Sequence, residues 1–227
     1  ALAGLFYAVG TWADKAVLGL FSGVSYGGTA FLVNEGYDIA FYYANLALIP
    51  GLVYFTVAGE TEFHIGLRRF VFSLARRRLP EIESTRTQLE RSSREILVGQ
   101  TALQAAAALC LGLAAPLFAP ALGIPPEVFA RLLAAGVFQL ALLTGMNMLF
   151  YLELYRDAAL GTLAFALSDA LFTAIAAASP FAKQLLGLPY LASCALSAIL
   201  ILALASRGLE RFDRILFLRA SGSDYGR

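Results

Sequence analysis

Charged side chains are scarce in this sequence. Asp, Glu, Lys and Arg together make up 15% of the 227 residues, whereas soluble domains carry roughly 25%. A soluble domain needs such side chains to cover its surface, so the low charge and the mean hydropathy of +0.71 exclude an ordinary soluble fold. The net charge of +1 gives no reason to expect nucleic acid as a partner. We predict an all-α, polytopic membrane protein.

Residues that carry metal or covalent chemistry are also rare. The two cysteines, Cys110 and Cys194, lie far apart in apolar runs, so we expect neither a disulfide framework nor a metal site. The single histidine, His64, has no nucleophile or acid beside it in a catalytic pattern, and no P-loop or glycine fingerprint occurs. We therefore expect no enzymatic activity and no cofactor. The chain begins at Ala1 without a signal peptide, and we expect it to be a segment of a longer protein.

Long apolar runs are abundant. Six of them approach the ~20 residues that an α-helix needs to span a bilayer. They are far longer than strands and lack the alternation that a membrane β-barrel requires. The predicted spans are Leu2–Ser22, Tyr37–Val57, Ile96–Leu122, Val128–Leu152, Ala158–Ser179 and Leu185–Ala205.

Lys and Arg predict the orientation of these spans. Fourteen of the 17 basic residues lie in the connection 59–95, near Arg156, or in the tail 206–227. These three places share one side of the membrane if the six spans alternate. Only Arg131 and Lys183 fall on the other side, and Lys15 lies within the first span. By the positive-inside rule, Ala1, the connection and the tail are cytoplasmic.

The connection 59–95 has two predicted parts. Apolar residues recur at helical spacing from Phe63 to Leu74, which predicts an amphipathic helix in the membrane interface, ended by Pro80. Polar residues 84–95 predict a second helix that rises into the third span. A solvated helix without a partner and a docking surface for a cytosolic protein are equal alternatives for this basic arm. Its proposed contact residues are Arg68, Arg69, Arg76, Arg77 and Arg78.

Polar residues form stripes on several spans. On the first span Asp14 shares a stripe with Tyr7 and Thr11, and Lys15 lies about 100° round the helix. Because an intramembrane charge is costly, such residues should face a cavity or another helix. We predict a water-accessible cavity, with Asp14 facing it and Lys15 meeting a neighbouring helix. The predicted cavity residues are Tyr7, Thr11, Asp14, Lys15, Asp38, Tyr42, Asn45 and Asp169.

Other interpretations of these polar residues stay open. Asp14, Lys15 and Asp169 would fix packing if they paired across helices, and Asn45 would serve as an interhelical hydrogen-bond donor. Pro50 and the following glycine interrupt the second span, which predicts a kink.

Three stretches of the sequence resemble the Pel exopolysaccharide transporter (PelG) family. They are GLFYAVGTWADKAVLG at the start, then YDIAFYYANLALIPGLVYFTVAGETEFHIGLRRF, then NMLFYLELYRDA. That family belongs to the superfamily of multidrug, oligosaccharidyl-lipid and polysaccharide (MOP) flippases. Motifs that resemble the family lie within Leu5–Phe70 and Asn147–Ala158. Over the rest of the chain, the resemblance is in the order of the segments.

The resemblance implies a fold and a function. The expected fold is one six-helix transmembrane lobe of a MATE-like flippase, here the C-terminal lobe, with the N-terminal half of the same protein as its partner. The implied activity is export of an amino-sugar-containing biofilm exopolysaccharide across the bacterial inner membrane. Such a synthase-dependent system works beside a cytosolic glycosyltransferase and membrane regulatory subunits, for which the basic arm is the expected contact.

Two alternatives compete with polysaccharide export. The first is a cation-coupled multidrug or lipid-linked oligosaccharide flippase of the same superfamily, in which Asp14 and Asp169 bind H⁺ or Na⁺. The second is a non-transporting scaffold that recruits the glycosyltransferase through its basic arm.

Overall fold

The computed structural model describes residues 1–25, 32–76 and 79–223 and is helical over most of them. Two short strands, β1 (Val24–Ser25) and β2 (Leu32–Val33), pair antiparallel between the first two helices. A π-helical turn, Phe55–Gly59, and a 3₁₀ turn, Pro120–Leu122, interrupt the chain further on. The helices are α1 (Leu2–Ser22), α2 (Glu35–Leu46), α3 (Ile49–Tyr54), α4 (Glu60–Arg76), α5 (Leu79–Phe118), α6 (Pro126–Tyr151), α7 (Tyr155–Ala177), α8 (Ala182–Leu185) and α9 (Leu188–Ser223).

The helical membrane architecture is confirmed. Within the described ranges, 5 helical segments are long and apolar enough to cross a bilayer. The first predicted span forms α1, whose 21 residues suffice in length, but Asp14 and Lys15 lower its hydropathy and it is not among the 5. Its crossing of the membrane therefore stays a prediction. The apolar segments are Glu35–Ser73, Pro80–Phe118, Pro126–Tyr151, Tyr155–Ala177 and Leu188–Glu210.

Contacts between helices give their relative directions. Gly10 of α1 lies against Phe165 and Ala166 of α7, and Leu18 and Thr173 lie at one site eight residues further along both helices, so these two helices run parallel. Helix α9 runs antiparallel to α7. This alternation is what successive membrane crossings require, and glycines at the contacts let the helices approach closely.

The connection between α3 and the membrane part of α5 folds as a helical hairpin. Phe63, Leu67 and Phe70 of α4 are buried, and the Ser73 and Thr85 hydroxyls of α4 and α5 lie 2.9 Å apart. The apolar stripe that was predicted to lie on the membrane is thus covered by α5. Helix α5 includes both the third span and the residues before it, and its Leu89 packs on α4 at Gly66. The predicted rise of residues 84–95 into the third span is confirmed.

Helix α5 is long enough to hold this hairpin outside the bilayer. Its 40 residues extend about 60 Å, roughly twice the ~30 Å hydrocarbon core. Arg68 and Arg69 are exposed on α4 and Arg76 ends that helix, whereas Arg77 and Arg78 lie outside the described residues. The predicted tail 206–227 continues α9 as far as Ser223.

Candidate functional site

A cavity of about 980 Å³ lies between α1 and the α2–α3 segment, with α6 behind it. It contains six of the eight residues that were predicted to line a cavity. The polar stripes on the first two spans therefore do meet, because α1 and α2 run antiparallel on either side of the paired strands β1 and β2. The lining residues from the prediction are Tyr7, Thr11, Lys15, Asp38, Tyr42 and Asn45.

The cavity wall combines aromatic rings with hydrogen-bonding groups. Trp12 and Tyr42 are 67% and 62% exposed, and Phe41 lies further in. Thr11 and Asn45 each donate to a carbonyl of their own helix, at 2.8 and 2.9 Å. The interpretation of Asn45 as an interhelical donor is therefore wrong. Among the described residues, none donates a hydrogen bond to the Asn45 side-chain oxygen.

Asp38 and Gln139 lie at two other points of the cavity wall. The Asp38 Oδ2 accepts a hydrogen bond from the Asn34 backbone N–H at 2.9 Å, so this carboxylate also closes the first turn of α2. Gln139 of α6 donates to the Tyr7 hydroxyl at 3.2 Å. This bond joins α1 to α6 at the back of the cavity.

Asp14 and Lys15 take the reverse of their predicted positions. Asp14 is 1% exposed and does not line the cavity, whereas Lys15 does. The reason is that Gly10, Asp14 and Leu18 share the face of α1 that packs on its neighbours. The Tyr37 hydroxyl of α2 donates to Asp14 Oδ2, and the Lys15 ammonium lies 3.0 Å from Asp14 Oδ1. The two charges pair within α1, and Asp14 is tied to α2 by a tyrosine.

The Lys15 ammonium is fully engaged by the protein. It lies 3.0 Å from Asp14 Oδ1, donates to the Thr11 carbonyl at 2.8 Å and is 3.1 Å from the centroid of the Phe41 ring. With 13% of its side chain exposed, Lys15 presents little of its surface to the cavity. Its ammonium is occupied by partners within the protein.

Asp169 does not line the cavity either. It is completely buried in α7, and the Ser193 hydroxyl of α9 donates to its Oδ1 at 3.0 Å. Its Oδ2 has no hydrogen-bond partner among the described residues, and the same holds for the buried hydroxyls of Thr173, Tyr190 and Ser197. The prediction that Asp169 faces a cavity is wrong because its side of α7 is covered by α9. In the described ranges no group of three His, Cys, Asp or Glu could hold a metal ion.

Two glutamines of α5 were missing from the predicted site. Gln100 and Gln104 are both 1% exposed. Gln104 donates to the carbonyl of Ala47, where α2 and α3 break, and Gln100 donates to the carbonyl of Gly51 within α3. Their spacing of four residues within an apolar span is a visible signal, since it places two costly amides on one helix face. The kink predicted at Pro50 is confirmed as a break between Leu46 and Ile49.

Comparison with known proteins identifies the sequence family. The family model described as "PelG: Putative exopolysaccharide Exporter (EPS-E)" matches residues 1–217. This range includes every residue of the cavity and of the buried charges beside it. No curated protein and no solved structure matches the chain.

Proposed function

Because the chain belongs to the PelG family of exopolysaccharide exporters, we propose that its cavity is part of the path of a Pel-like polysaccharide that contains amino sugars. In this proposal the protein is a transporter without a catalytic step of its own. It works in the bacterial inner membrane as part of a synthase-dependent system. The observation that carries the proposal is the aromatic and polar cavity of about 980 Å³.

The chemistry of the wall suits sugars. Sugar rings present C–H faces that pack on aromatic side chains such as Trp12 and Tyr42, and hydroxyls that bond to Asp38 and Asn45. The volume lies at the upper end of the range of ligand pockets, about 300–1,000 Å³. A chain of sugars would thus occupy the cavity with a few of its units at a time.

The charges of the wall favour sugars without acidic groups. The charge of Lys15 is neutralised by Asp14, and its ammonium also donates a hydrogen bond to the Thr11 carbonyl. Asp38 is then the one carboxylate of the described wall, and it would repel an anionic polymer. A neutral, N-acetylated amino-sugar chain fits this arrangement, since its amide and hydroxyl groups can donate to Asp38.

We also propose the arrangement of partners around the chain. Both termini and the α4–α5 hairpin would be cytoplasmic, in accordance with the distribution of Lys and Arg. The exposed Arg68 and Arg69 would contact a cytosolic glycosyltransferase or membrane regulatory subunits. The N-terminal half of the protein would face the exposed rim at Trp12 and Tyr42.

Cation-coupled transport is a second candidate, favoured by the buried carboxylates. Asp14 and Asp169 are both buried, and Lys15 is the single cation that the described residues place beside them. An uncompensated buried carboxylate is costly. A proton or Na⁺ at the free Oδ2 of Asp169 would remove that cost.

One set of variants in the full-length protein tests these functions. We expect Asp38→Asn to reduce secreted polysaccharide at least about tenfold, since a hydrogen bond to a charged group contributes about 1.5–3 kcal/mol. The abundance of the protein and recovery of the glycosyltransferase with it should stay unchanged. Asp157→Asn, on the same chain but outside the cavity, is the matched control.

The outcomes separate the candidates. Normal secretion by Asp38→Asn would contradict the cavity as the path. Loss of secretion by Asp169→Asn, with normal abundance, would favour cation coupling, and dependence of secretion on external Na⁺ or on pH would then identify the ion. Loss of glycosyltransferase recovery in the Asp38 variant would indicate a scaffold.

A further inference from the structure

The second span is broken beside the cavity. Pro50 has no N–H to donate to the Leu46 carbonyl, and α2 ends at Leu46 while α3 begins at Ile49. Among the described residues, no backbone N–H bonds to the Ala47 carbonyl, whose helical partner would be the Gly51 N–H. An unsatisfied carbonyl at membrane depth costs several kcal/mol, so something else must supply a donor.

Helix α5 supplies that donor. Gln104 Nε2 donates to the Ala47 carbonyl at 2.9 Å, and Gln100 Nε2 reaches the Gly51 carbonyl at 3.5 Å. The Thr144 hydroxyl of α6 donates to Gln100 Oε1 at 2.6 Å, which holds the second amide in place. We name Gln100, Gln104 and Thr144 the amide clamp.

The clamped break forms part of the cavity wall. Leu48 lies within the break and Leu52 follows it in α3, and both line the cavity, as does Leu140 of α6. Gly51 allows α3 to approach α5 and α6 closely, because a Cβ at this position would overlap the Leu140 side chain and lie 2.7 Å from Gln104 Oε1. A shift of the break would therefore move two side chains of the wall.

We propose that Gln104, supported by Gln100 and Thr144, is a positioning residue of the cavity. It supplies the hydrogen bond that the Ala47 carbonyl lacks at the break beside Pro50, and it thereby sets where Leu48 and Leu52 stand. Its importance for export rests on the proposed function of the cavity. The position of the wall itself does not depend on that function.

The test is a double-mutant cycle with Pro50. The substitution Pro50→Ala returns an N–H to the helix and allows α2 and α3 to join, so the clamp becomes less necessary. The probe is the rate at which N-ethylmaleimide labels Leu52→Cys in membranes that contain the full-length protein. Cys110, which is exposed, is replaced by Ser, whereas Cys194 is buried and is kept.

With Pro50 present, we expect Gln104→Leu to change the labelling rate roughly fivefold. In the Pro50→Ala background, the same substitution should change the labelling rate less than about twofold. Gln88→Leu, on the exposed part of the same helix, is the matched control and should leave the rate unchanged. Equal effects of Gln104→Leu in both backgrounds would overturn the proposal. If Gln104→Leu is not produced, Thr144→Val weakens the clamp indirectly, and its labelling change should likewise shrink with Pro50→Ala.

Secretion measured on the same variants separates this inference from the proposed function. A coupled change in labelling with reduced secretion supports both. A coupled change in labelling with normal secretion supports the positioning role and contradicts the cavity as the export path. Reduced secretion without any change in labelling contradicts the positioning role.

Discussion

The two polar regions beside α1 differ in how they use the same kinds of side chain. In the buried region, Asp14 and Asp169 bond to hydroxyls of other helices, Tyr37 and Ser193. In the cavity, Thr11 and Asn45 bond to carbonyls of their own helices. Asp14 and Asp169 thus join helices, whereas Thr11 and Asn45 keep part of their hydrogen-bonding capacity for a ligand.

Polar residues within a membrane span therefore do not by themselves indicate a transport path. Leaving a buried polar group unpaired costs its desolvation penalty, and Asp14 and Asp169 each reduce that cost by bonding to a hydroxyl of another helix. A group on an open wall bears no such penalty. Substitutions in the buried region should therefore affect stability first, and substitutions in the cavity should affect export first.

The largest expected effect is that of Asp14→Ala. It leaves the Lys15 ammonium largely buried without a counter-charge and the Tyr37 hydroxyl without its acceptor, which should cost about 3–5 kcal/mol of stability. The measurement is the melting temperature and membrane abundance of the full-length protein. The double variant Asp14→Leu with Lys15→Leu should recover most of the loss, because it removes both charges. If Asp14→Ala has the same melting temperature as the parent protein, the claim that the buried region determines stability is contradicted.

A smaller effect is expected for Ser193→Ala. The substitution removes the donor to Asp169 Oδ1 and leaves both oxygens of that carboxylate unpaired by the described residues, at a cost of about 1–3 kcal/mol. Thermal unfolding of the full-length protein measures it. Ser193→Thr keeps the hydroxyl and serves as the matched control for loss of the bond. A destabilisation as large as that of Asp14→Ala would show that the two carboxylates act as one unit.

The smallest effect on stability is expected for Tyr42→Ala. Its ring is 62% exposed and packs edge-on against Tyr43, so the free energy of unfolding should change by about 0.5 kcal/mol or less. Secreted polysaccharide should nevertheless fall, because a stacking surface for sugar rings is lost. Tyr42→Phe keeps that surface and should retain secretion. A stability loss of several kcal/mol would place Tyr42 with the buried region instead.

The helical architecture could be predicted because long apolar runs have few stable conformations in a bilayer. The kink at Pro50 was predictable for a similarly local reason, since proline lacks an N–H. The meeting of Asp38, Tyr42 and Asn45 with the first span followed from their spacing along one helix face. All of these depend on short stretches of sequence.

The orientation of the Asp14–Lys15 pair could not be predicted in the same way. Helical geometry gives the ~100° between the two residues but not which neighbour lies on either side. That depends on how closely α7 approaches, and Gly10 is the residue that allows it. For the same reason the burial of Asp169 was not foreseen, because it depends on the position of α9.

The long helix α5 has a mechanical consequence. If the apolar C-terminal half of α5 spans the bilayer, its end at the hairpin tip lies about 45 Å from the bilayer centre, so a tilt of about 10° would displace that end by roughly 8 Å. Gln100 and Gln104, which hold the cavity wall, and Arg86 and Arg91, which form ion pairs with Glu90 and Glu95 on the protruding part, are all carried on this one helix. Movement of the cavity wall and movement of the hairpin tip are therefore linked through helix α5.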